Sequence, residues 1–247
     1  MRKGVVLVDF DNVFYGVART AGVIQSRIDD FVVACLEATP ELEHLEVRLY
    51  GGWKTNAQYT AQASTVMGCL ESVNSALFPY IWQKRRVTGN VELAISQYNL
   101  GIEWENTMQE KGARHMLSVR PDATRHCNHN PDECPLHMVA KATRGQQVKC
   151  PLDPCESIDV SQLVRMEQKM VDSMMTCDIL EYIHDEDCSA VEVVSDDMDL
   201  HPAMALAGER YAEDNDVKLL LMVGNRKNSE QYKRVLERHH IQIRTWQ

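Results

Sequence analysis

The sequence predicts an α/β protein: a doubly wound, mostly parallel sheet interrupted by an irregular Cys/His-rich insertion. Three observations carry this expectation. Short apolar runs alternate with stretches of helical periodicity, as in βαβ units. Several of those runs are nearly continuous in Val, Ile and Leu, the pattern of strands buried on both faces. Periodicity then fails between about residues 120 and 157, where Pro121, Pro131, Pro135, Pro151 and Pro154 fall.

In chain order, Val5 to Asp9 is an apolar run ending in an acid and reads as a first strand. Ile28 to Glu37 has helical spacing through Ile28, Phe31, Val32, Cys35 and Leu36. Leu45 to Tyr50 alternates as a strand that Gly51-Gly52 ends. Ala57 to Leu70 reads as a helix, Leu77 to Trp82 as a strand, Val91 to Met108 as largely helical and His115 to Val119 as a strand. After the insertion, Leu163 to Ile183 reads as one long amphipathic helix and Val191 to Val194 as a strand. Pro202 to Tyr211 is expected to be a helix, Val217 to Val223 a buried strand, Glu230 to Arg238 a helix and Ile241 to Trp246 a closing strand.

The bulk properties are those of a soluble globular chain. At 247 residues, 44% hydrophobic and 25% charged, residues 1–247 can form one domain with a sizeable core. No apolar run approaches the roughly 18 residues of a membrane span. The apolar run of MRKGVVLVDFDN stops at Val8, too short for a secretory signal, so a cytoplasmic location and no membrane partner are expected. The net charge of −10 argues against nucleic-acid binding by bulk electrostatics. That objection weakens where acids gather around a bound cation, which inverts the local field. The basic groups Lys84-Arg85-Arg86, Arg226-Lys227 and Lys233-Arg234 read as solvated faces. The oligomeric state is open, and a homo-oligomer is compatible with the sequence.

Acids stand at two expected strand ends. Asp9 closes the first strand, and Asp197 and Asp199 follow the strand Val191 to Val194. Open α/β sheets bind ligands beyond the carboxyl ends of their strands. Clustered carboxylates repel one another unless a hard cation joins them through oxygen. A lone Asp after a strand is usually a loop residue. Two strand ends carrying VDFDN and SDDMD favour a site.

On these residues the chain resembles the NYN family of PIN-like metal-dependent ribonucleases, over roughly residues 4–112 and 160–247. VLVDFDN resembles the family's opening motif, with Asp9 and Asn12 in its places. KMVDSMMTCD resembles the motif of Lys, any residue, Val, Asp and a second Asp six residues on, filled by Lys169, Val171, Asp172 and Asp178. VVSDDMDL resembles the strand followed by Ser-Gly-Asp-x-Asp-Phe. Ser195, Asp197 and Asp199 match, while Asp196 stands in place of Gly and Leu200 in place of the aromatic residue. The resemblance implies a PIN-like Rossmannoid fold and an endoribonuclease with RNA as substrate. It implies Mg²⁺ or Mn²⁺ held by Asp9, Asp172, Asp197 and Asp199, with Asn12 orienting a ligand or phosphate. Lys169 and Ser195 become substrate-binding candidates. On the residues alone, Asp178 reads as a helix-surface acid and Lys169 as solvent-exposed.

Two other functions fit parts of the pattern. Asp9-Phe10-Asp11-Asn12-Val13 also fits the DxDx[TV] motif of haloacid-dehalogenase-like phosphatases, in which Asp9 would be a nucleophile and Asp11 a general acid. That pattern has no place for the acids of KMVDSMMTCD. An inactive NYN-like module that binds RNA without cutting it is the third reading.

Of eight cysteines, Cys35, Cys69, Cys177 and Cys188 stand singly and read mostly as buried thiols. Cys127, Cys134, Cys150 and Cys155 crowd into residues 120–157 together with His137. Zinc sites take four N or S ligands, commonly as two close pairs. Cys150 and Cys155 make one pair; Cys127 with Cys134, or Cys134 with His137, makes the other. A structural Zn²⁺ is expected there, because a segment with little apolar content gains order from a metal. Arg120, Arg125, Lys141, Arg144 and Lys149 could supply that lobe with phosphate contacts.

Overall fold

A computed structural model describes residues 1–112, 164–212, 216–224 and 234–246. The chain divides into two compact units, Met1–Thr107 with Lys169–Gln247, and Met108–Gln168.

In the first unit, β1 (Lys3–Asp9) is followed by a single helical turn, α1 (Phe10–Val13), and by α2 (Ala21–Ala38). Next come β2 (His44–Tyr50), the two-residue strands β3 (Lys54–Thr55) and β4 (Gln58–Tyr59), and α3 (Ala61–Leu77). β5 (Tyr80–Trp82) and β6 (Arg85–Leu93) complete this half. After the second unit come α4 (Val171–Ile183), β9 (Cys188–Val194), α5 (His201–Ala207), β10 (Lys218–Val223) and β11 (Ile241–Thr245).

The described strands form a seven-stranded sheet in the order β11-β10-β9-β1-β2-β6-β5, parallel throughout except for the β5–β6 pair. The chain moves outward from β1 through β2 to β6, then returns to β9 on the other side of β1. A topological switch point therefore lies between β1 and β9, beyond whose carboxyl ends a crevice is expected. Side-chain alternation builds two cores. Val6 and Val8 pack with Ile28, Phe31 and Val32 of α2, while Val5 and Leu7 pack with Met175, Ile179 and Tyr182 of α4. Burial on both faces explains why β1 and β9 read as continuous apolar runs.

Two expected helices are overturned. Val91 to Met108 is not helical: Val91 and Leu93 belong to β6, paired with Val47 and Leu49 of β2. Beyond it the chain is irregular, with Asn99 and Gly101 at positive φ and one isolated bridge from Ser96 to Glu103. Beyond the short β5, the side chain of Asn74 on α3 completes the edge of β6. It accepts from the Val91 amide at 2.6 Å and donates to the Val91 carbonyl at 2.9 Å. The long helix from Leu163 to Ile183 also fails. Its first part is the strand β8 (Val164–Gln168), and Met170 takes a left-handed conformation (φ 65°) that a continuous helix cannot contain. The third helix starts at Ala61 rather than Ala57, because Asn56 and Ala57 turn the β3–β4 hairpin with φ 49° and 64°.

The second unit is described only at its base, where β7 (Met108–Gly112) pairs antiparallel with β8, Met108 opposite Gln168 and Gly112 opposite Val164. The excursion from the α/β unit is thus wider than residues 120–157. The strand expected at His115 to Val119 and the zinc candidates Cys127, Cys134, His137, Cys150 and Cys155 lie outside the described residues. Of the helix expected at Glu230 to Arg238, residues 234–237 are described and helical. No described helix is long and apolar enough to cross a membrane.

Candidate functional site

Asp9 is the last residue of β1 and is only 3% exposed. Its position at the switch point follows from the parallel register that sets Val8 beside both Leu49 and Val194. The turn after it folds back so that Asp9 caps α1, one carboxylate oxygen accepting from the Asn12 amide at 3.3 Å. The other oxygen accepts from Asn12 Nδ2 at 2.5 Å and from the Ser195 hydroxyl at 2.9 Å. Burial pushes the Asp9 carboxyl above the usual range, and the Asn12 and Ser195 bonds oppose that rise.

Ser195 follows β9 and is fully buried. Its Oγ donates to Asp9, accepts from the Asp197 amide at 2.9 Å and lies 3.4 Å from Asn12 Nδ2. One hydroxyl thereby ties the ends of two adjacent strands, separated by 186 residues of sequence, into one unit. The hydroxyl of Ser195 and the side-chain amide of Asn12 are directed at protein carboxyl and amide groups. Asp197 Oδ1 in turn accepts from the Asp199 amide at 2.9 Å, capping the turn Met198–Leu200. Asp196 has no positive φ, so this turn does not require the glycine of the NYN pattern. Its carboxylate instead accepts from the Gly224 amide at 2.5 Å, pinning the loop to the end of β10.

Asp172 lies in the first turn of α4, where the helix dipole favours a negative charge. Partial desolvation, then the charges of Asp197, Asp9 and Asp199, push its carboxyl up. Asp172 is thus within electrostatic reach of the other three expected acids. Asp9 is buried, Asp197 half-buried, and Asp172 and Asp199 exposed. Among the described residues, no three Asp, Glu, His or Cys side chains stand close enough as placed to hold a metal ion. As a donor set, three or four carboxylates suit a hard cation such as Mg²⁺ or Mn²⁺.

Two sequence expectations change here. Asp178 is not a helix-surface acid but fully buried, accepting from Arg48 Nη1 at 3.1 Å, the Tyr50 hydroxyl at 2.5 Å and the Tyr98 amide at 3.0 Å. Lys169 precedes α4 rather than riding on it, is half-buried, and its amide donates to the Thr107 carbonyl at 3.0 Å. Arg19, Gln62 and His201, around the site, were not expected from the sequence. Asp11 is held by Arg19 at 3.2 Å and by Gln62 of α3 at 2.7 Å. His201, two residues past Asp199, is half-buried; desolvation pushes its imidazole below the usual range and Asp197 opposes this. Its spacing after SDDMD was the available signal. Arg19 and Gln62 carried none, because a long loop and a separate helix deliver them.

Compared with protein-family models, curated proteins and solved structures, the chain matches none.

Proposed function

We propose that this protein is a metal-dependent endoribonuclease of the PIN-like NYN kind, hydrolysing phosphodiester bonds of RNA at the Asp9–Asp172–Asp197–Asp199 cluster. The observation that carries this is the bonding of Asp9 through Ser195 to the loop bearing Asp197 and Asp199, with Asp172 in their common electrostatic field. Mg²⁺ or Mn²⁺, when bound, would relieve the carboxylate repulsion, lower the pKa of a bound water and stabilise charge on the reacting phosphate. Asp9 supplies the immobile acid, its orientation set by Asn12 and Ser195. Asp172, Asp197 and Asp199 supply the adjustable ones, since they are half-buried or exposed. His201, whose imidazole burial pushes below the usual range, is the proposed proton acceptor near Asp197. Lys169 is the proposed point charge for phosphate. Residues 120–157 are proposed to hold a structural zinc that shapes a substrate-facing lobe.

The phosphatase reading has less support. Its general acid, Asp11, is committed to Arg19 and Gln62, and its nucleophile, Asp9, is buried and bonded on both oxygens. The test is cleavage of unstructured single-stranded RNA with Mg²⁺ or Mn²⁺. Activity should vanish in EDTA and fall at least about 100-fold in Asp197→Asn and Asp172→Asn, and about 10–100-fold in Ser195→Ala. Wild-type rates in Asp197→Asn would place the chemistry elsewhere. Binding without cutting under every divalent ion would favour the inactive module.

A further inference from the structure

Between α2 and the edge strand β11 lies a cavity of about 300 Å³. Asp30, Ala34 and Glu37, spaced along one stripe of α2, line one side of it. Met222 of β10 and Arg244 and Trp246 of the β11 segment line the other. Ala34 and Met222 are buried and make an apolar floor, whereas Asp30 and Glu37 are exposed and stand at the mouth. Arg244 Nη1 is bonded to Glu37 at 2.7 Å. Trp246 is fixed by its amide bond to the Val223 carbonyl at 3.1 Å and by an edge contact with Phe31.

Trp246 of the cavity wall approaches Asp196, in the loop after β9, across Gly224. A Cβ at that position would come within 2.7 Å of the Asp196 carboxylate on one side and 3.1 Å of the Trp246 ring on the other. The indole and the loop carrying Asp197 therefore meet across one glycine, and any side chain there would intrude between them. The volume is at the small end of ligand sites, room for one heterocycle rather than an extended molecule. An indole wall is suited to stacking on a planar ring. The carboxylates accept hydrogen bonds only, while the guanidinium only donates. A ring edge that presents adjacent N–H donors beside a carbonyl oxygen matches that set. Among the common bases guanine has such an edge; the adenine and uracil edges do not offer two adjacent donors to a carboxylate.

We propose that this cavity is a base-binding subsite that takes a guanine-type nucleotide, stacked on Trp246 and read by Glu37, Asp30 and Arg244. Its assignment to a base of the substrate strand rests on the nuclease reading, but its occupancy by a free nucleotide does not. The test is calorimetric titration of the full chain, in EDTA, with the 5′-monophosphates of guanosine, adenosine, cytidine and uridine. The guanosine nucleotide should bind at least ten-fold more tightly than the other three. Trp246→Ala should weaken it ten-fold or more. Glu37→Gln, a surface change that spares the core, should abolish the preference among bases. Equal binding of all four, no saturable binding at millimolar concentration, or unchanged guanosine affinity in Glu37→Gln overturns the proposal. Guanosine binding by a protein that cuts no RNA would leave the subsite standing and remove the nuclease reading. Metal-dependent cutting without nucleotide binding in EDTA would do the reverse.

Discussion

Glu192 stands in the middle of β9, fully buried, with neither carboxylate oxygen hydrogen-bonded. Burial pushes its carboxyl well above the usual range, and Arg244 only partly opposes this. The folded chain therefore keeps a proton that the unfolded chain releases above about pH 4.3. Stability from this residue is fully present below the unfolded pKa and is lost as pH rises towards the folded one. Glu192→Met, without charge, should stabilise the protein by about 1–3 kcal/mol at pH 8, with a smaller gain at pH 4, where only the unsatisfied polar group and no ionisation is removed. Urea denaturation of both proteins at the two pH values checks this. A gain that is the same at both would mean that Glu192 titrates alike folded and unfolded. In the sequence this residue is one polar position in an apolar strand, and nothing local tells that its neighbours cover it completely.

At the scale of elements, Asp178 and Arg48 hold α4 against β2. Arg48 is 3% exposed and Asp178 fully buried; Arg48 also faces the carboxylate of Glu92 at 3.3 Å, whereas Arg48 is the cation bonded to Asp178. Burial raises the Asp178 carboxyl, while the Tyr50 bond and the Arg48 charge resist the rise. Removing Asp178 leaves the buried guanidinium with only the more exposed Glu92 as counter-charge, and removing Arg48 leaves a buried carboxylate without a cation. Asp178→Ala should cost about 3–5 kcal/mol at pH 7, and the double change Asp178→Leu with Arg48→Met should recover most of that loss. Equilibrium denaturation of the two singles and the double measures the coupling. A loss under about 1 kcal/mol in Asp178→Ala would show that the pair does not anchor the helix. The same helix carries Asp172 at its other end, so its docking sets the distance from Asp172 to Asp9 and Asp197. The spacing of the two acids was legible in KMVDSMMTCD. Their division into one solvent-facing and one buried group was not, because Asp178 finds its partners 128 and 130 residues away.

For the whole molecule, the cluster predicts a linkage between metal and stability. The net charge of −10 already opposes compaction, and the acids at the switch point concentrate part of it. A cation that binds the folded chain at 100 times its Kd contributes about 2.7 kcal/mol, or about 5–10 °C in Tm for a chain of this size. Mn²⁺ should therefore raise the Tm, and the increase should be largely lost in Asp197→Asn. Without metal, that variant should be as stable as wild type or slightly more so, since one repelling charge is gone. Thermal melts with and without EDTA test both parts. An equal Mn²⁺ shift in wild type and variant would place the metal outside the cluster.

The sequence by itself determined the α/β alternation, the buried strands β1, β9 and β10, and the placing of acids just past two strand ends. These are local properties: apolar runs and the residues that end them belong to short contiguous segments. Tertiary structure alone decided whether Val91 and Leu93 joined a helix or a strand, because pairing with β2, some forty residues earlier, outweighs their helical spacing. It also decided that Asn12 and Ser195 serve Asp9, that Asp178 is interior, and that Trp246 faces a cavity beside Asp196. Each of those outcomes is a contact between distant segments, set by strand order and register, which no window of neighbouring residues encodes.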